Sequence, residues 1–146
     1  MKPRTIFTAL SFVLFCSYLR AQETGVLGEW REPSGSVIRI EACGNDICAV
    51  IAQISTNAPV RVDAHNPDSA LRQRSLCGLR IGEGFKRKSP VRADGGTLYD
   101  PKSGKTYRGS MESEGDQLSL RGYIGFSFLG RTEKWTRSKS PSQCLR

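Results

Sequence analysis

A chain of 146 residues with one short N-terminal apolar run has room for a targeting segment and one domain, not for two cores. Its 22 basic against 14 acidic residues give +8, but the basic residues are scattered and no recognised nucleic-acid motif accompanies them, so a solvated basic surface is expected and nucleic acid is excluded as a partner. With 25% charged residues and no apolar stretch of about 20 residues, the chain does not read as a helical membrane protein.

Lys2 and Arg4 precede an uncharged apolar run over residues 6–19. That run is short for a bilayer span and has the proportions of a signal-peptide core, so cleavage after Ala21 is expected, with residues 22–146 as the mature domain. A lipoprotein modified at Cys16 fits less well, because Phe15 stands where a small residue is required. Cleavage removes Lys2, Arg4 and Arg20 and no acidic residue, lowering the charge from +8 to +5. The expected location is periplasmic or secreted, with no stable membrane span remaining.

In the mature chain, glycine-containing turns separate short alternating segments, the pattern of an all-β sandwich or barrel. Strands are expected at 26–31, 36–42, 48–54, from 79, at 97–100, 105–111, 117–123 and 130–137. Eight short strands joined mostly by hairpins suit closure into a small antiparallel up-and-down barrel, which removes exposed edges. The basic triplet Lys86-Arg87-Lys88, beside Ser-Pro, is expected in a loop.

The segment 56–75 interrupts the meander. Asn66 as N-cap, Pro67 in the first position and Asp68 in the first turn predict one short helix near residues 66–73. Asp63, Asn66 and Asp68 offer oxygen atoms, but not at EF-hand spacing, and no metal or cofactor is expected. Cys43 and Cys48 flank the Gly-Asn-Asp turn signal and would face each other across a hairpin; Cys77 and Cys144 then remain to pair, tying the tail to the body. A zinc site would need close-spaced ligands, whereas the chain has a single histidine, His65.

Gly104-Lys105-Thr106 ends like a phosphate-binding loop. Tyr99, however, stands where the loop's first glycine belongs, Pro101 has no backbone N–H to give phosphate, and a strand follows where a helix is required. Gly104 reads instead as the positive-φ residue of a hairpin turn.

Gly28-Glu29-Trp30 on the first strand resembles the GxW signature of lipocalin-like, or calycin, barrels. There the tryptophan plugs one end and packs on an arginine of the last strand, for which this chain offers Arg131 and Arg137. The blocks CGNDIC, NPDSALRQRSLCGLRI, GGTLYDPKSGKTYRG and LSLRGYIGFSFLGRTEKWTR together resemble the bacterial domain of unknown function 2147 family. That resemblance implies a small exported protein with a lipocalin-like barrel and brings no established activity. Members often carry a tryptophan shortly before the Gly-Gly, where this chain has Arg92-Ala93-Asp94.

No histidine-serine pattern marks a nucleophile, and cysteines held in disulfides supply no thiolate, so a binding protein is expected rather than an enzyme. Arg131, Glu133, Trp135 and Arg137 share one face of the last strand, and Lys105, Tyr107, Gly109 and Met111 one face of the sixth. With Trp135 inward, Tyr107, Arg131, Trp135 and Arg137 would line a lumen for a small amphipathic or anionic ligand. An envelope or protein partner is the alternative: Ser103-Gly104-Lys105-Thr106-Tyr107 resembles the SGxxY motif that periplasmic lysozyme inhibitors insert into their target's cleft.

Overall fold

The computed structural model describes residues 25–139 and 141–144; the expected signal segment, residues 1–21, lies outside the described residues. Eight strands follow in chain order: β1 (Gly28–Arg31), β2 (Val37–Cys43), β3 (Asp46–Gln53), β4 (Arg80–Ser89), β5 (Arg92–Asp100), β6 (Lys105–Glu114), β7 (Gln117–Tyr123) and β8 (Arg131–Arg137). Each pairs antiparallel with its successor, and β8 pairs with β1, closing an up-and-down barrel.

The inward face follows the two-residue period of the strands. Ile38 and Ile40 of β2 meet Ile51 and Ala49 of β3, Leu98 of β5 meets Tyr107 of β6, and Leu118 of β7 meets Trp135 of β8. Phe85 is wholly buried, its ring lying against Gly82, Gly96 and Gly109 on the inner wall. It fits because Gly96 has no side chain: a Cβ there would collide with the Phe85 ring.

One end is closed. Trp30 is fully buried, its indole N–H donates to the Val26 carbonyl at 2.8 Å, and the Arg137 guanidinium lies 4.0 Å from its ring centre. Arg137 also donates to the carbonyls of Gly25 at 2.8 Å and Leu27 at 3.2 Å, so the cation holds both the tryptophan and the backbone leading into β1. The arginine that meets the tryptophan is thus Arg137; Arg131 is exposed near the opposite end.

The connection from β3 to β4 is shaped by polar anchoring, not by a helix. In place of a helix over 66–73 there is a single 3-10 turn, Ser69–Leu71, capped by Asp68. Asn66 does not cap it, because its side chain is buried and engaged with Asp63, Tyr99 and the Asp68 N–H. Lys86-Arg87-Lys88 is likewise not in a loop. It continues β4, exposed, with Lys86 2.5 Å from Asp46.

Both disulfides join the expected partners, Cys43 with Cys48 and Cys77 with Cys144, at Cα separations of 5.8 and 5.6 Å. The second fastens the tail after β8. Ser138 donates to the Glu29 carbonyl, Ser142 to the Glu29 carboxylate, and Cys144 lies against the Ile51 carbonyl, so the tail reaches from β1 to β3. β3 is buried on both faces, which explains its nearly uninterrupted apolar sequence.

Candidate functional site

The stretch DPKSGKTY forms the β5–β6 hairpin. Gly104 has φ +69°, its N–H donates to Asp100, and a Cβ at this position would strike the His65 carbonyl. Ser103 is tied to the Asp100 carboxylate at 2.7 Å, and Lys105 is exposed. The backbone therefore bends around Asp100 and has no phosphate cradle.

Tyr107, Arg131, Trp135 and Arg137 all lie on the lumen side of their strands, but they divide between its two ends. Trp135 is 4% exposed, donates its indole N–H to Glu133 at 3.1 Å and packs in the filled core near Leu118. Arg137 belongs to the plug with Trp30. Toward the other end Tyr107 is half-buried opposite Leu98, and Arg131 is exposed opposite Gly122. Glu133, opposite Leu120, is exposed as well. The barrel is thus packed at the Trp30 end and carries accessible polar groups on its lumen face at the other.

β8 explains that asymmetry. It pairs with β7 from Arg131 to Thr136, but with β1 only at Arg31–Thr136 and Trp30–Arg137. The upper β7–β8 hairpin therefore stands out beyond β1. Its connection, residues 124–130, holds a 3-10 turn, Ser127–Leu129, and exposes Ile124, Phe126, Phe128 and Leu129. Apolar residues between Gly125 and Gly130, where a polar hairpin turn is usual, were the sequence signal for this feature.

A buried polar cluster lies on the outer side of β5. Asp63 accepts hydrogen bonds from Tyr99 at 2.5 Å, Asn66 at 2.7 Å and Arg74 at 2.9 Å, with its side chain wholly enclosed. Burial alone would raise the Asp63 pKa; these donors outweigh it and hold the carboxyl below its usual range. Burial and the bond to Asp63 push the Tyr99 hydroxyl up. The Asp63 oxygens are thus consumed within the protein, and Asp68 is occupied by Ala70, so the trio Asp63, Asn66 and Asp68 is not arranged around a cation. Sequence reading placed Asp63 correctly in the insertion but could not supply Tyr99, 36 residues away.

Two shallow concavities lie on the outer wall. One, of about 420 Å³, is bordered by Asp46, Arg80, Glu83 and Thr97; the other, of about 260 Å³, by Asp94, Ser110, Arg121 and Thr132. Neither gathers a nucleophile with a base.

The sequence profile of a family described as "Uncharacterized protein conserved in bacteria (DUF2147)" matches residues 28–137, from the first residue of β1 to the last of β8. The chain belongs to this family. As a DUF2147 protein it has a lipocalin-like fold: it is similar to a solved structure described as "Protein HP1028 from the human pathogen Helicobacter pylori belongs to the lipocalin family". That similarity has a TM-score of 0.71 at 21% identity and covers 80% of this chain and 85% of the other. No curated protein matches the DUF2147 chain in sequence.

Proposed function

We propose that this protein is an exported binding or scaffold barrel, not an enzyme, and that it takes a small amphipathic or anionic molecule on the lumen face near the β7–β8 hairpin. The division of the lumen carries this reading. The Trp30 end is filled by Trp30, Leu118 and Trp135, and Phe85, Met111 and Leu120 fill the middle, which leaves no reason to seat a ligand in either part. Toward the other end the half-buried Tyr107 ring lies beside Gly122 and offers apolar surface, while Arg131, opposite Gly122, is exposed and makes no ion pair among the described residues. An amphiphile laid along Tyr107 and Gly122 would bring an anionic head to Arg131, where a charge-assisted hydrogen bond fixes its orientation. In this reading Trp135 and Arg137 support the wall and do not touch the ligand.

Inhibition of a lysozyme through Ser103, Gly104, Lys105 and Tyr107 is the weaker reading, because Tyr107 is half-buried on the lumen side and Gly104 is packed on His65. Titration with a fluorescent long-chain carboxylate and its neutral alcohol analogue tests the ligand site. The carboxylate is expected to bind more tightly, and Arg131→Gln to weaken it by about tenfold, the worth of one charge-assisted hydrogen bond, without changing Tm. Equal affinity for both probes, or no binding of either together with no small molecule retained in a native mass spectrum, removes this reading.

A further inference from the structure

The β7–β8 connection exposes its largest residues: Ile124 is 66%, Phe126 68%, Phe128 74% and Leu129 71% accessible. Four such side chains within six consecutive residues, at the tip of a hairpin that stands past its neighbouring strand, form a concentrated apolar surface of the kind that marks an interaction site. The exposure is built, not a failure to collapse. Arg121 donates through Nε and Nη2 to the Ser127 carbonyl at 2.9 and 2.6 Å and through Nη1 to Thr132 at 2.9 Å, holding the connection from behind. The Phe126 and Phe128 rings stack at 5.6 Å and face outward together.

Charge identifies the partner. No acidic residue occurs between Asp116 and Glu133, so the hairpin beyond the Leu120–Glu133 pair is cationic. Arg121 lies on its outer face, with Arg108 of the neighbouring β6 opposite Tyr123, and Arg131 lies on its lumen face. The hydrogen-bond partners of Arg121 are neutral, and neither Arg121 nor Arg108 makes an ion pair among the described residues. Arginines therefore surround the base of an apolar tip on both sides.

We propose that the β7–β8 tip docks the barrel onto an anionic lipid surface, with Ile124, Phe126, Phe128 and Leu129 entering the headgroup–acyl boundary and Arg108, Arg121 and Arg131 meeting lipid phosphates. Interfacial binding of this kind combines buried apolar area with attraction to anionic lipid. A narrow convex tip needs no complementary pocket in a fluid surface. A second copy is disfavoured by the same residues, because tip-to-tip pairing would bring the arginines of both chains together.

Vesicle flotation tests the proposal, using protein purified after export. Intact mass must first show that the apolar run at residues 6–19 is gone, since that run would itself enter a bilayer. The protein is expected to float with vesicles containing phosphatidylglycerol and to partition about tenfold less onto pure phosphatidylcholine or at high salt. The double variant Phe126→Ser/Phe128→Ser should lose about tenfold or more of its binding, and Arg108→Gln a severalfold share on anionic vesicles alone, with circular dichroism and Tm unchanged. Absence of flotation, equal binding to neutral and anionic vesicles, or binding that survives the double phenylalanine variant overturns the proposal. So does a dimer in sedimentation that the double variant abolishes while no vesicle binding is seen.

Discussion

Tyr99 of β5 donates its hydroxyl at 2.5 Å to Asp63, and this bond fastens the long β3–β4 connection to the barrel wall. Arg74 and Asn66, from the same connection, complete the donor set around the enclosed carboxylate.

The stability of that joint should depend on pH at both extremes. The folded pKa of Asp63 is held below its usual value, so its contribution is complete above about pH 4 and is lost as pH falls through the lower folded value. The folded pKa of Tyr99 is raised, so its contribution is complete below about pH 10 and is lost as pH rises through the higher folded value. Asp63→Asn should cost about 1.5–3 kcal/mol near neutrality, the range for hydrogen bonds to a charged group, because the enclosed amide would keep one acceptor oxygen where the carboxylate serves Tyr99, Asn66 and Arg74. Urea unfolding of wild type and variant at several pH values should show that difference shrinking in acid. A difference that grows in acid would contradict the assignment.

The Trp30 plug should be the least replaceable part of the core. Trp30→Ala removes a fully buried indole and is expected to cost about 3–5 kcal/mol. Arg137→Ala loses a cation over the ring and two bonds to carbonyl groups; the ring contact alone is worth about 0.5–2 kcal/mol. Arg131→Ala should be nearly silent in the same thermal unfolding experiment, because that side chain is exposed at the other end.

At the β5–β6 hairpin, Gly104→Ala should destabilise by more than about 1 kcal/mol, since its Cβ would meet both a positive φ and the His65 carbonyl. Lys105→Ala should stay within about 0.5 kcal/mol. Calorimetric titration with ATP and magnesium should give no heat of binding for either variant or the wild type.

The two disulfides should differ in worth. On loop-closure entropy, a link spanning 67 residues contributes about 4 kcal/mol and one spanning 5 residues about 2 kcal/mol. Denaturant unfolding of Cys144→Ser should therefore show the larger loss, with Cys43→Ser the milder variant. Loss of the tail's contacts with Glu29 and Ile51 adds to the first effect.

Local chemistry was enough to read several features from the residues. Strand alternation, glycine-marked turns, the Cys43–Cys48 hairpin and the failure of Gly104-Lys105-Thr106 to make a phosphate loop all depend on neighbours a few positions apart. Backbone geometry couples neighbours directly, so spacing carries the information. The placement of Trp30 against the last strand came from its resemblance to a known barrel, not from spacing.

Closure of the barrel decided the rest. Asn66 reads as a helix cap until the tertiary fold brings Tyr99 to it and to Asp63, and three hydrogen-bonding groups drawn into a buried cluster outweigh one turn of helix propensity. Arg131 and Arg137 are alike in sequence, on the same face of one strand. Only the short β1–β8 seam makes one a buried support for Trp30 and leaves the other free at the projecting hairpin. Strand period assigns a residue to a face, but burial along that face depends on which strands stand opposite it, and that is a property of the closed sheet.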